Sequence, residues 1–390
     1  MIFVYEFTSA PAQSGTPQIV LIGSISDYIS YQYERCFDDA GDFSINLPYS
    51  QEVFRLLSRN NNKNKIIKLG EFYGIAYKVT IKKQVETKRI IVKGRQLSSL
   101  LTNYNRFDGL GISSVINGYI DDDLDTRFAH AHTVFPSESA YHLPSFILFN
   151  KSKYTSEHSQ LALEECLTKS HNWFEYIQTA CKLLNIGFDL ILTSEGNLEV
   201  VLLFPTTREG VMFHSQIQDF LNSEYNLNSQ NMYTLCRADV RNVSYTDSQG
   251  TEHTVASAEA RQPDISASQN VGAALRAYIM DVDGSGLSYT TESAYKSYAK
   301  GLAMSFLASH RLIKSYAADI DLSQVNYTLG EDYSLGDTLT LIDIDIEISI
   351  QAQLTSYTKS LDSNGKMKIK PCFGYNQATL AKILSRNQII

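Results

Sequence analysis

The chain lacks any dense block of Lys or Arg. Its formal net charge is −8, whereas proteins that grip duplex DNA carry a basic patch or stripe. Lys63, Lys65 and Lys68 come closest, and their alternation with Asn and Ile reads as the solvated face of a strand. Cysteine is sparse. Cys36, Cys166, Cys181, Cys236 and Cys372 are odd in number, widely spaced and never CxxC. That spacing argues against a zinc ribbon or a disulfide framework. It leaves buried, reduced thiols, in keeping with assembly in a reducing cytoplasm. No run of 18 apolar residues occurs, so no spanning helix is expected. The first six residues carry no basic n-region and Glu6 cuts the apolar run short, so no signal peptide is expected either. Tryptophan occurs once. The nucleophile, P-loop and zincin signatures GxSxG, GxxxxGK and HExxH are all missing. Gly109-Leu110-Gly111 lacks the third glycine and the preceding strand of a dinucleotide fingerprint.

What is present is strand-forming. With 390 residues, 43% of them hydrophobic, the chain can bury two to four cores. Its 24 Tyr and 18 Phe favour strands. Phe43, Ile45 and Leu47 alternate with polar residues up to Pro48, and Ile75, Tyr77, Val79 and Ile81 do the same. Arg89 to Lys93 adds a strand, after which Leu97, Leu100 and Leu101 take helical spacing. These short strands predict a small barrel or sandwich in residues 1–105. Residues 106–170, with Asp121, Asp122, Asp123 and Asp125 and breaks at Pro136 and Pro144, predict loops and short pieces.

A helix is predicted over 172–186. Asn172 and Glu175 form a capping box, Phe174, Ile177, Cys181 and Leu184 share a face, and Gly187 supplies the left-handed stop. A hairpin follows, from Phe188 to Leu192 and Leu198 to Phe204 around Glu195-Gly196-Asn197. Residues 232–262 read as strands turning at Asp247-Ser248-Gln249-Gly250, and 291–313 as a second helix. Ile342, Ile344, Ile346, Ile348 and Ile350 alternate with polar residues, which predicts one amphipathic strand, with a hairpin beyond it at Asn364-Gly365. The predicted fold is mainly β (α+β): two small β-barrel domains, an α/β middle domain and an inserted helical segment. The expected domains are 1–105, 106–225, 226–375 with its helix near 291–313, and a C-terminal tail, 376–390.

Three constellations bear on chemistry. Asp281, Asp283, Ser285, Gly286 and Glu292 fit the spacing of a calcium loop. The favoured reading is a Gly-rich turn into a helix capped by Thr290 or Thr291, because Leu275 to Met280 reads as a strand where an EF-hand needs a helix. His130, His132 and His142 have nothing to fix them as metal ligands and read as loop histidines. Asp343, Asp345 and Glu347 read as the wet face of a strand rather than a hydrolytic pair, which would face each other across a cleft. No catalytic, cofactor-binding or metal-ligating residue is assigned, and no cofactor is expected. A saccharide-binding adhesion module is a second reading of the Tyr-rich β composition, and a hydrolase using Asp343, Asp345 or Glu347 is a third.

Gly41-Asp42-Phe43-Ser44-Ile45-Asn46-Leu47-Pro48, Glu71-Phe72-Tyr73-Gly74-Ile75 and Gly94-Arg95-Gln96-Leu97-Ser98-Ser99-Leu100-Leu101 follow one another in a particular order. After them come Ile186-Gly187-Phe188, Tyr333-Ser334-Leu335-Gly336-Asp337-Thr338-Leu339 and Ile369 to Gly374. In that order the chain resembles the tail-associated baseplate hub proteins of siphophages, related to the central hub of contractile tails. The resemblance implies a homotrimer whose six barrels form a ring. It also implies docking on the distal tail protein, contact with the tape-measure protein and with receptor-binding or fibre proteins, and closing or extending the tail tube, which opens for DNA passage. The chain is then a virion component of the tail tip and not an enzyme. It would bind no nucleic acid sequence-specifically and would not insert into a membrane. Because it ends about fifteen residues past the second barrel motif, no lytic extension is expected.

Overall fold

The computed structural model describes residues 1–7, 19–59, 64–83, 87–105, 115–133, 143–163, 172–216, 220–262, 276–287, 289–320, 327–345 and 347–374. The first β region contains β1 (Ile2–Phe7), β2 (Ile19–Ile25), β3 (Ser30–Cys36), β4 (Asp42–Pro48), helix α1 (Gln51–Ser58), β5 (Lys65–Leu69), β6 (Phe72–Lys83) and β7 (Lys88–Gln96). The middle carries α2 (Ile120–Thr133), β8 (Ile147–Phe149), α3 (Trp173–Leu184), β9 (Gly187–Leu192) and β10 (Leu198–Leu203). Then come β11 (Thr207–His214), β12 (Phe220–Asn228), β13 (Leu235–Thr246), β14 (Glu252–Arg261), β15 (Ala277–Asp283) and α4 (Glu292–Ser309). The chain closes with β16 (Ile313–Ile320), β17 (Thr338–Asp343), β18 (Ile348–Leu361) and β19 (Met367–Gly374).

The protein is mainly β with some helices. The two expected barrels are not closed among the described residues. Strands of the first and last β regions instead share one 13-stranded sheet, ordered β12-β16-β19-β18-β3-β4-β7-β6-β5-β1-β2, with β17 branching from β18 and β11 from β17. The bridge is β18, whose 14 residues pair with β17 at one end and with β19 and β3 at the other. Two smaller sheets stand apart, β8-β10-β9 and β14-β13-β15.

The period-2 segments behave as their spacing predicts where a core backs them. Phe43, Ile45 and Leu47 are all buried. In β6 the register slips between Ala76 and Lys78, and the strand's far end, including Ile81, is exposed. Lys65 departs from its expected wet face. It is buried, with Nζ 3.4 Å from Glu6. Lys68 lies over the Tyr73 ring at 5.0 Å, and Lys63 lies outside the described residues.

Residues 106–170 hold more than loops, because Ile120–Thr133 is a four-turn helix. Its acidic triplet fills the first turn, where the helix dipole favours carboxylates. Asp123 is fully buried and forms an i,i+4 ion pair with Arg127 at 2.8 Å. It also accepts hydrogen bonds from Ile116 N at 3.0 Å and Tyr176 Oη at 2.6 Å. Helix α3 starts as predicted, with Asn172 Oδ1 accepting from Glu175 N at 2.9 Å. Its stop differs: Asn185, at φ +54°, is the left-handed cap, and Gly187 already belongs to β9.

The isoleucine run is a hairpin and not one strand. Ile344, Asp345 and Glu347 lie in a turn, with Glu347 at φ +55°, and Asp343 pairs with Ile348; Ile346 lies outside the described residues. Cross-strand partners share a face, so Leu339, Leu341 and Asp343 line up with Ile350 and Ala352. The buried parity therefore reverses across the turn. Asp343 is buried and accepts from Tyr316 Oη at 2.6 Å, whereas Ile344 is 45% exposed. The Asn364-Gly365 hairpin forms as read, with Gly365 at φ +79°. Residues 375–390 lie outside the described residues.

Candidate functional site

The sharpest convergence of distant segments is the seam between β3 and β18. Their antiparallel register runs from Cys36↔Ser356 to Tyr31↔Leu361. Phe37 follows immediately. Its N–H donates to Thr355 O and its carbonyl accepts from Phe188 N, both at 2.9 Å, so one residue links β18 to β9. The Phe37 ring is 1% exposed. A Cβ on Gly187 would lie 2.4 Å from the ring, and one on Gly336, at φ +97°, would lie 2.2 Å from it. Any side chain at either position would collide with the ring. Two of the sequence motifs, Ile186-Gly187-Phe188 and Leu335-Gly336-Asp337, thus carry glycines that make room for one phenylalanine.

Polar groups complete the seam. Gln96 Oε1 accepts from Cys36 N at 3.0 Å, and its Nε2 donates to Asp189 Oδ1 at 3.0 Å. Asp189 Oδ2 accepts from Arg35 Nη2 at 3.0 Å. Asp337, 3% exposed, accepts from Thr206 N, Arg208 Nε and Ser334 N at 3.1, 2.9 and 2.9 Å. Glu71 Oε1 receives the hydroxyls of Tyr357 at 3.0 Å and Tyr33 at 3.4 Å. Burial, and then the neighbouring Tyr357 and Glu71, pushes the Tyr33 phenol up, so it remains a neutral donor. These groups satisfy one another and anchor backbone, an arrangement that fixes geometry and leaves no nucleophile or base beside a free acceptor.

The residues with chemical potential do not converge. Asp343 is buried under Tyr316, while Asp345 and Glu347 lie exposed in the turn, so the three share no strand face. His130 and His132 lie in the last turn of α2 and not in a loop, with His132 Nε2 3.0 Å from Ile147 O, and His142 is outside the described residues. Strand β15, not a helix, precedes the Asp281–Glu292 loop. Asp281 is held by Arg241 Nε at 2.7 Å, and Asp283 by Asn242 Nδ2 and Ser285 N at 3.0 Å. Glu292 pairs with Lys296, and Thr291 caps α4 by accepting from Ala294 N at 3.3 Å. Among the described residues no three His, Cys, Asp or Glu side chains form a metal cluster, and no helix is long and apolar enough to cross a membrane. Cys36, Cys181, Cys236 and Cys372 are buried free thiols, as expected, and Cys166 is outside the described residues.

The large sheet exposes several edges. Among the described residues, strand β12 pairs with β16 alone, β11 with β17 alone and β2 with β1 alone. Met212 on β11 is 41% exposed, and Tyr225 and Leu227 on β12 are 40% and 58% exposed. Unpaired edges flanked by apolar side chains invite pairing with another chain.

Solved structures of tail proteins share this fold along nearly their whole length. The 43 kDa tail protein of prophage MuSo2 from Shewanella oneidensis superposes with a TM-score of 0.52 at 11% identity, covering 95% of this chain and 97% of that one. The tail protein from Neisseria meningitidis MC58 gives 0.50 at 9% identity, covering 96% and 97%. Prophage tail protein gp18 from Listeria monocytogenes EGD-e gives 0.50 at 9%, covering 99% and 98%. The fold is therefore that of phage tail proteins. The model of the siphovirus ReqiPepy6 Gp37-like protein family matches residues 16–375, and the chain belongs to that family of phage tail structural proteins. No curated protein matches its sequence.

Proposed function

We propose that this protein is the hub of a siphophage tail tip. In this reading three copies form a ring that docks on the distal tail protein, contacts the tape-measure and receptor-binding proteins, closes or extends the tail tube, and opens for DNA passage. The protein then acts by assembly in the virion and catalyses nothing. The observation that carries the proposal is the open last β region. Strands β11 and β12 are consecutive in the chain, bound the same sheet system on two sides, and carry exposed apolar residues at edges that no described strand covers. A ring of copies covers such edges. The division into regions 1–105, 106–225 and 226–375 belongs to the same proposal, with the first and last regions supplying the ring's β elements. The net charge of −8 suits a conduit through which phosphates slide without sticking, and a strongly basic lumen in the assembled ring would contradict that part.

Solution mass measured by sedimentation over a concentration range tests the proposal. The monomer is 43.8 kDa, so three copies weigh about 131 kDa. The expected result is that species, with the chain alone or on adding the distal tail protein. A monomer that persists with that partner present overturns the ring.

A further inference from the structure

We propose that the middle region carries a saccharide-binding groove, a function separate from the ring and independent of it. The groove has a volume of about 710 Å³, inside the range of roughly 300–1,000 Å³ that small-ligand clefts occupy. Three separately anchored segments form it: the exposed side of α2, strand β8 with the stretch just after it, and the turn between β9 and β10 with the start of β10.

Its chemistry selects the ligand class. Leu148 and Phe149 give an apolar floor, and hydroxyls and amides surround it, including Ser152, Thr155, Asn150 and Asn197. The carboxylates of Asp125, Glu195 and Glu199 add acceptors. A sugar presents the complementary pattern, with C–H faces for an apolar floor and hydroxyls that both donate and accept around its edge. The cations nearby are already engaged. Lys151 is held by Asp122, and Lys153 Nζ lies 2.6 Å from Glu199 Oε1. With its lysines paired to Asp122 and Glu199 and two further carboxylates, Asp125 and Glu195, on its lining, the groove carries an excess of negative charge and repels an anionic ligand such as a phosphate. Ser194 Oγ donates to Glu195 Oε1 at 2.7 Å, and this bond with the local backbone holds the carboxyl below its usual range, so it is an acceptor at neutral pH.

The groove is also built before a ligand arrives. Phe149 stacks on Tyr154 with centroids 5.4 Å apart, and Tyr154 Oη accepts from Leu202 N at 2.9 Å. Asn150 Oδ1 caps the short helix that follows by accepting from Ser152 N at 3.2 Å. Asn197 N donates to Thr193 Oγ1 at 3.3 Å and Thr193 N to Asn197 O at 2.8 Å, which closes the turn. A preorganised polar rim keeps the ordering cost of binding low.

The test uses the full chain and three probes: the tetrasaccharide of N-acetylglucosamine, a panel of neutral bacterial surface oligosaccharides, and spermidine. Binding is read by calorimetry up to 10 mM, about the weakest affinity such a groove would show. The expected result is saturable binding of at least one saccharide, weakened at least about tenfold by D125A/E195A. Both residues of that pair are exposed, so thermal melting should be unchanged. Absence of saccharide binding, saccharide binding unaffected by the double substitution, or tight binding of spermidine alone overturns the proposal. The ring stands or falls separately on its mass.

Discussion

The β3–β18 seam and the β13–β15 sheet are built from similar strands but held by different forces. At the seam, three separated segments, at 187–188, 336 and 355, close around Phe37, which is 1% exposed. The β13–β15 sheet packs one face on α4 through small residues such as Ala238, Ala256, Ala299 and Ala303. Its other face is open to solvent and carries Arg237–Asp239 and Arg241–Asp281 ion pairs, each at 2.7 Å. Exposed pairs of that kind are screened by solvent and contribute little, whereas a fully buried phenylalanine contributes about 1.5–3 kcal/mol by area alone. A rigid joint needs the first kind of construction, and a solvent-facing layer tolerates the second.

The largest expected effect breaks the seam. Phe37→Ala should cost about 3–5 kcal/mol in urea unfolding, because the two glycines that accommodate the ring leave a cavity when it goes. Ile279→Ala, on the open face at 64% exposure, should change stability by no more than about 0.5 kcal/mol. A Phe37→Ala cost below about 1 kcal/mol would mean that the seam is not held by packing.

The same joint marks the limit of what the sequence reveals. Helix α3 was readable because its cap, Asn172, and its apolar face are local. The glycines at 187 and 336 were visible as motif letters, but their shared partner lies some 150 and 300 residues away in the chain, and no periodicity points to Phe37. Helix α2 was masked by its own chemistry. Asp121, Asp122 and Asp123 look like a solvated loop, yet Asp121 and Asp123 are buried against His158 and Arg127. The i,i+4 spacing of Asp123 and Arg127 was the one local sign of the helix. The groove gave no sign at all, since its lining comes from three segments with no common motif.

Acid should separate the two regions by sign. In the β13–β15 unit, Asp239 is held low by the Arg237 hydrogen bond, Asp247 by His253 and Asp283 by Asn242. A carboxyl with a depressed folded pKa contributes stability above its unfolded value, about 3.9, and loses it as pH falls through the folded value. Asp38, beside Phe37, is shifted the other way, raised chiefly by burial. Its charged form is unfavourable in the fold, so its contribution improves as pH falls through its folded pKa. Hydrogen exchange from pH 7 to pH 3, corrected for intrinsic rates, should show β13 and β14 losing protection before β3 and β18. Asp38→Asn should flatten the seam's response, and equal losses in both regions would remove the distinction.

The smallest effect concerns the isoleucine run, where the sequence and the structure disagree most. Read as one strand, Ile342, Ile344, Ile346, Ile348 and Ile350 form a single buried stripe, and a charge anywhere on it should unfold the chain. The hairpin divides that stripe. Leu341, 1% exposed, faces the core with Phe213, Tyr316 and Leu354, whereas Ile344 sits in the turn at 45% exposure. Ile344→Asp should therefore change the urea midpoint by no more than about 0.5 kcal/mol equivalent, while Leu341→Asp buries an unpaired charge and should prevent folding. Unfolding by Ile344→Asp would restore the continuous strand, and tolerance of both substitutions would remove this hairpin from the core. Because Ile344 N also donates to Ser215 Oγ at 3.1 Å just beyond β11, an Ile344→Asp chain that folds yet fails to form the 131 kDa species would place this turn at the contact between copies.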